Sequence, residues 1–354
     1  VSDAITDRED ATLSCQWLEA GLGFSPSGLH NCPVTHHGDR GWPLVAPFSG
    51  GPVPVDEIIA SRERRKREVA AGACPECKDC FLLERKIWQP REHLVEVINI
   101  CHSSACNLRC NYCYLQGPMP ASRWWNDPEN LRTGRTPYNI MPTILDMMDK
   151  GQIAPHTVIN WAGGEPTMLE EFEELLGRTM AFGMWQYLAT NGTLFSEGTM
   201  RGILAGKVSV VCSVDAGTPE TYRKMKERDL FAKVWENLAR YAALGRNVEA
   251  KYIFTPDNCG EKDILGFVAE VKKANIPQII CDVDAFNPTL TDEILDAYTA
   301  MRYEAEKLGI KAISAGCGVA SFPENEVGKR SNRRMSGLGF RLKRTVSNLF
   351  RRTA

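Results

Sequence analysis

The chain has 354 residues, 43% of them apolar, and a formal net charge of −2. It can bury one large core, or one core with a smaller satellite domain. No run approaches the roughly 18 uncharged apolar residues of a membrane span, and the acidic, polar opening from Val1 to Asp10 is unlike a signal peptide, so a cytoplasmic location is the default expectation.

Thirteen cysteines are many for a reducing compartment, where clustered thiols hold metal more often than they form disulfides. Nine of them precede residue 114. From Cys15 to Cys80 the chain reads as a small, loop-rich module. A Pro- and Gly-rich passage follows Cys32, a charged helix is expected over 55–71, and Cys74, Cys77 and Cys80 close the segment. So little apolar patterning calls for a staple, and metal supplies one. Cys15, Cys32, Cys74, Cys77 and Cys80 suit one four-iron cluster with a spare thiol, or one zinc, and both readings stay open. His30, His36 and His37 read as loop histidines rather than ligands.

From residue 93 onward, apolar runs alternate with helical segments. Strands are expected over 93–101, 157–161, 187–191, 208–215, 248–254 and 278–284. Helices are expected over 142–150, 169–182, 196–204, 219–244, 261–273 and 291–308, with a further strand within 310–317. Six strands each followed by a helix predict an α/β fold with a parallel sheet, either open and doubly wound or an incomplete barrel. Ligands in both architectures sit at the carboxyl ends of the strands.

Beyond Pro323 the composition turns polar and then basic. Residues 327–354 carry nine Lys and Arg and no acid, a charge of +9 that leaves −11 for the rest. Leu338, Leu342, Val346, Leu349 and Phe350 recur at helical spacing, so the tail suits an amphipathic helix. It docks on its own domain or, as the alternative, meets an anionic membrane surface or acidic partner.

Two motifs stand at strand ends. Cys106, Cys110 and Cys113, with Tyr112 before the last thiol, follow the first barrel strand; three thiols so spaced can hold three corners of an iron–sulfur cube and leave the fourth iron open. Gly163, Gly164, Glu165 and Pro166 follow the second strand. Together with the six alternating strands, these motifs make residues 93–286 resemble the radical S-adenosylmethionine (SAM) superfamily. The resemblance implies a partial (β/α)6 TIM-type barrel. It also implies a [4Fe-4S] cluster on the three thiols, with the amino and carboxylate groups of SAM on the open iron. Gly163, Gly164 and Glu165 would receive the methionine ammonium, Tyr112 would lie near adenine, and Thr190, Asn191, Ser213 and Asp215 fall where the family makes polar contacts to ribose and carboxylate. Reductive cleavage of SAM would then yield a 5′-deoxyadenosyl radical that takes a hydrogen atom from substrate.

The 15–90 module resembles an auxiliary-cluster domain of the SPASM or Twitch type, although such domains ordinarily follow the barrel. The expected organisation is a polar segment over 1–14, the auxiliary domain over 15–90, the partial barrel over 91–322 and the basic tail over 323–354. Asp282 and Asp284 share one face of the sixth strand and could bind hydroxyls or act as a base, with Cys281 on the other face. Cys317, in a glycine-rich turn, is a candidate for returning a hydrogen atom.

The first functional expectation is oxidation, epimerisation or rearrangement of a small hydroxylated, sugar- or nucleoside-like substrate, with flavodoxin or ferredoxin as electron donor. The alternative is a maturase acting on a ribosomal peptide, although 14 residues before Cys15 are too few for a leader-binding domain. A non-catalytic iron–sulfur or zinc protein leaves the Gly163–Pro166 turn unexplained, and activation of a glycyl-radical enzyme fits the cysteine order poorly.

Overall fold

The computed structural model describes residues 10–25, 28–32, 44–47, 51–75, 77–78, 80, 82–113, 139–245, 247–284, 289–314 and 322–335. Cys317 and the apolar positions of the basic tail lie outside the described residues. The chain divides into two compact units. The first takes in residues 1–107, 115–190 and 196–209, and the second residues 108–114, 191–195 and 210–354.

In the first unit, β1 (Thr12–Ser14) leads into the short helix α1 (Gln16–Ala20) and then β2 (Gly21–Ser25), β3 (Gly28–His30) and β4 (Leu44–Pro47). Helix α2 (Val55–Ala70) follows, then β5 (Glu84–Lys86), antiparallel to β1, and β6 (Val95–Ile100). The unit continues with α3 (Met141–Asp149), β7 (Ile153–Trp161), α4 (Phe172–Phe182), β8 (Trp185–Thr190) and α5 (Glu197–Leu204). Strands β2, β6, β7 and β8 run parallel in that order, and β3 and β4 extend the β2 side antiparallel.

Alternation along these strands sets the core. Ile98, Ile100, Ile159, Trp161 and Leu188 are buried on one face, each fully buried isoleucine contributing about 1.5–3 kcal/mol. Trp161 meets Phe172 of α4 edge to face at 4.9 Å. Its indole Nε1 donates to Gln186 Oε1 at 2.8 Å, so the buried N–H is satisfied. Asn99 and Asn160 face each other in register on the opposite, half-open face.

The segment read as a small, loop-rich module supplies β2, which lies parallel beside β6. Every residue of β2 is buried and two are glycine, so the alternation that reveals a strand is missing. Arg62 of α2, itself buried, donates to the carbonyls of Glu19, Gly21 and Leu94 and so ties the start of β2 to the approach to β6.

The second unit contains β9 (Val208–Ser213, entered at Val210), α6 (Pro219–Lys226), α7 (Phe231–Ala242), β10 (Val248–Phe254), α8 (Glu261–Lys273), β11 (Gln278–Val283), α9 (Asp292–Lys307), β12 (Lys311–Ser314) and α10 (Glu324–Met335). Strands β9 to β12 are successive parallel neighbours. The fold is therefore α/β with parallel strands joined through helices, and no pairing among the described residues closes it into a full barrel.

The single helix expected over 219–244 is two. Glu227 takes a left-handed conformation with φ 54° and caps α6, its N–H donating to the Arg223 carbonyl. The break lets Phe231 turn back onto Tyr222, ring centroids 5.8 Å apart. Charged residues from Glu227 to Asp229 carry no glycine or proline signal, so the interruption comes from packing rather than from local propensity.

Candidate active site

In the first unit, candidate site residues stand at the ends of β6 and β7. Residues 101–106 leave β6 as a loop, and the turn after β7 folds against it: Gly164 N donates to Ser103 O at 2.8 Å and Glu165 N to Ala105 O at 2.6 Å. Gly163 has φ +94°, and a Cβ on Gly164 would stand 2.1 Å from the Ala105 carbonyl oxygen. Only glycine allows this approach of two backbones.

Glu165 is 1% exposed. Its Oε1 accepts from Thr167 N at 3.2 Å, Thr167 Oγ1 at 2.6 Å and Thr190 Oγ1 at 2.7 Å. Thr190 thus orients the Glu165 carboxylate from the end of β8. Pro166 is buried at the start of a short 3-10 turn. Behind the loop, buried His102 bonds Glu171 through Nε2 at 3.1 Å. Burial raises the Glu171 pKa, but this bond, together with a backbone hydrogen bond, outweighs it and leaves the group below the ordinary value of 4.5.

The auxiliary thiols also lie in this unit. Cys15 caps α1, its sulfur accepting from Leu18 N at 3.4 Å, and packs with Leu18, Val69 and Cys74; Trp17, Cys77, Leu82 and Leu83 pack against that cluster. Arg65 Nη1 donates to Cys74 Sγ at 3.4 Å. Burial pushes the Cys77 thiol far up, and a bond to Cys74 with the nearby Cys74, Cys32 and Cys15 thiols pushes it further. Burial likewise raises Cys15, with Cys80 adding to the effect. Cys15, Cys74 and Cys77 thus pack together in the first unit, with Cys32 and Cys80 acting on them electrostatically. Cys32 also lines a cavity of about 10 Å³ with Ser25, His30, Asn99 and Cys101, enough for one water.

Cys110 and Cys113 belong to the second unit, where Cys113 N donates to Cys110 O at 3.1 Å. Cys106, Cys110 and Cys113 are all half-buried. Between the last two, the Tyr112 hydroxyl donates to Asp215 Oδ2 at 2.5 Å. Lys226 Nζ donates to the same Asp215 oxygen at 2.6 Å, to the Ser213 carbonyl at 3.1 Å and to the Tyr112 hydroxyl. Asp215 Oδ1 accepts from Ile253 N at 2.7 Å. Burial alone would lower the Lys226 pKa, but Asp215, Cys110 and Tyr112 hold it well above the ordinary lysine value. Burial, with Asp215, drives the Tyr112 phenol well up. Lys226 escaped the sequence reading because it sits in a run of charges from Arg223 to Arg228 that resembles a solvated helix face.

Asn191 Oδ1 accepts from Thr193 N at 2.9 Å and Thr193 Oγ1 at 2.7 Å, fixing the turn after β8. On β11, Cys281 is fully buried against Met301 of α9, Sγ to Sδ 3.8 Å, and burial drives its thiol up. Asp282 is 7% exposed and paired at 3.1 Å with Lys251, a partner the sequence reading missed. Asp284 follows the strand, half-buried, its N–H donating to the Phe254 carbonyl at 3.4 Å.

Residues 100–265, from the end of β6 into α8, match the family model described as the radical SAM superfamily, and this span is a radical SAM domain. Such domains use a [4Fe-4S] cluster and SAM. Among its relatives are GTP 3',8-cyclase of Aliarcobacter butzleri, 24% identical over 173 residues that cover 48% of this chain and 50% of the cyclase, and the mycofactocin maturase MftC of Mycobacterium ulcerans, 27% identical over 168 residues that cover 47% of this chain and 42% of the maturase. The chain thus spans about half the length of the curated relatives it matches. Among solved structures, SuiB of Streptococcus suis bound to precursor peptide SuiA superposes with a TM-score of 0.47 at 13% identity, covering 74% of this chain and 63% of that one.

The residues present fit these groups. Three half-buried thiols are the donor type that would bind irons one apiece, and in the first unit the turn carrying Glu165, whose carboxylate is held by two threonines, folds against the loop that leads into Cys106. Among the described residues, no three His, Cys, Asp or Glu side chains gather as a site for one metal ion. A cluster places each thiolate on its own iron and needs no such convergence. No helix among the described residues is long and apolar enough to cross a membrane.

Proposed function

We propose that the chain is a radical SAM enzyme with an auxiliary [4Fe-4S] cluster, acting on a small hydroxylated, nucleoside- or sugar-like substrate. The reading is carried by the packing of Cys15, Cys74 and Cys77 in one cluster of the unit whose strand β6 leads into Cys106. When bound, the cluster and SAM supply a carbon-centred radical able to remove a hydrogen atom from substrate.

By their spacing in sequence, Cys106, Cys110 and Cys113 hold the radical SAM cluster. Glu165, kept in one orientation by Thr167 and Thr190, receives the ammonium of SAM; a preset carboxylate saves the entropy of ordering it on binding. Asn191 and Ser213 would meet the ribose and carboxylate, whereas Asp215, fully buried with both carboxylate oxygens bonded to Tyr112, Lys226 and Ile253 N, fixes Tyr112, whose ring would neighbour adenine, and Thr190 serves by orienting Glu165. Asp282 and Asp284 offer acceptors to substrate hydroxyls, the Lys251 ion pair holding the Asp282 carboxylate in place. Cys281, sealed against α9, serves packing, and Cys317 remains the candidate hydrogen donor. An electron carrier such as flavodoxin or ferredoxin supplies the reducing electron.

The similarity to GTP 3',8-cyclases favours a nucleoside-like substrate. A second reading, maturation of a peptide, draws on the similarity to mycofactocin maturase together with the thiol-rich amino-terminal region. Anaerobic reconstitution should give roughly eight irons per chain, falling to about four in the Cys106→Ala, Cys110→Ala, Cys113→Ala variant. A wild-type value near four with one zinc removes the auxiliary cluster. Dithionite and SAM should yield 5′-deoxyadenosine slowly without substrate, and none at all would sink the enzyme reading. Screening nucleosides, sugars and peptides for faster 5′-deoxyadenosine formation in deuterated water separates the two substrate classes.

A further inference from the structure

We propose that Lys226 and Asp215 form a buried charge pair that sets the reduction potential of the radical SAM cluster from the Cys110–Cys113 side. This inference rests on the reading of Cys106, Cys110 and Cys113 as cluster ligands. The attachment is double. In the main chain, Arg109 N donates to Lys226 O at 3.1 Å and Asn111 N to Met225 O at 3.0 Å, so the Cys110 peptide is bracketed by the last turn of α6. Those carbonyls are the ones a helix end leaves without partners of its own. In the side chains, Lys226 Nζ bonds Tyr112, Asp215 and Ser213 O, and lies 5.0 Å from the centroid of the Tyr112 ring.

Both charges are out of water: the Lys226 side chain is 2% exposed and that of Asp215 0%. The carboxylate is fixed further by Ile253 N, and Asn258 Nδ2 binds the Asp215 carbonyl at 2.9 Å. The lysine that carries the ammonium is tied through its own carbonyl to the N–H of Arg109, the residue before Cys110. Charges in a low-dielectric interior act over longer distances than in water. Reduction adds negative charge to the cluster, so the ammonium favours the reduced state and the carboxylate opposes it. Two opposed charges held by one network make the potential depend on their balance, and Lys226 is a positioning residue for Tyr112 as well.

The test is an EPR-monitored redox titration of the reconstituted full chain, the radical SAM cluster being identified as the one whose signal changes on adding SAM. Lys226→Gln, which keeps an amide able to bond Tyr112, is expected to lower the potential. Asp215→Asn is expected to raise it, and the double variant to return towards wild type. Shifts in the same direction, or no shift in two variants holding wild-type iron, overturn the proposal. If only one variant loads, its direction decides. Failure of both to take up iron assigns the network a structural role and also overturns it. A wild-type chain with no SAM-responsive cluster fails the cofactor reading instead, before any variant is compared.

Discussion

At the scale of single residues, the site divides into motifs that announce themselves and partners that do not. Cysteine spacing and the Gly163–Pro166 run were readable because their chemistry is written in adjacent positions. Lys226, Lys251 and Thr167 were not, since each gains its role from a residue far away in sequence or from the turn it closes. Gly164→Ala would push a methyl group into the Ala105 carbonyl. The expected cost is about 1–3 kcal/mol, seen as a lower melting temperature together with weaker SAM binding in equilibrium dialysis; unchanged values on both would show that the turn can yield. Glu171 gives a pH signature. Its folded pKa is depressed, so its contribution to stability is present above the ordinary 4.5 and is lost as pH falls through the lower folded value. Glu171→Gln should flatten that acid limb in denaturant titrations at pH 3 to 5 and leave the slope at pH 7 to 8 unchanged.

At the scale of elements, the barrel strands and most helices followed from apolar period and capping residues. Helix α8 lies over 261–273 as expected, and Ser196, Thr218 and Thr291 cap α5, α6 and α9 through their hydroxyls. Two failures have one cause. The α6–α7 break and the strand β2 are decided by distant contacts, Phe231 against Tyr222 and Gly21–Ser25 against β6, which local propensity does not encode. Arg62 is the residue to probe for the second. Arg62→Ala would strip a charged donor from three carbonyls that it holds together. About 3–5 kcal/mol of destabilisation is expected, a fall of roughly 10 °C in melting temperature. Hydrogen exchange should rise first in residues 21–25 and 95–100. Fast exchange elsewhere with these strands still protected would count against the clamp.

At the scale of the whole molecule, composition foretold a thiol-rich α/β protein but not how its amino-terminal residues are used. Those residues pair with β6, and that pairing has a consequence for how the chain is made. Strand β2 leaves the ribosome some 70 residues before β6, so at typical synthesis rates it waits about 4–15 s for its partner. Throughout that interval the nascent chain carries an unmatched backbone edge, alongside Cys15 and Cys32 at first and all five auxiliary cysteines by its end. A version started at residue 91 reverses the problem. It retains every radical SAM motif yet leaves β6 with a bare edge, and bare edges recruit other chains. Such a truncation should be recovered mainly as aggregate, whereas supplying residues 10–90 as a separate polypeptide during expression should restore soluble material.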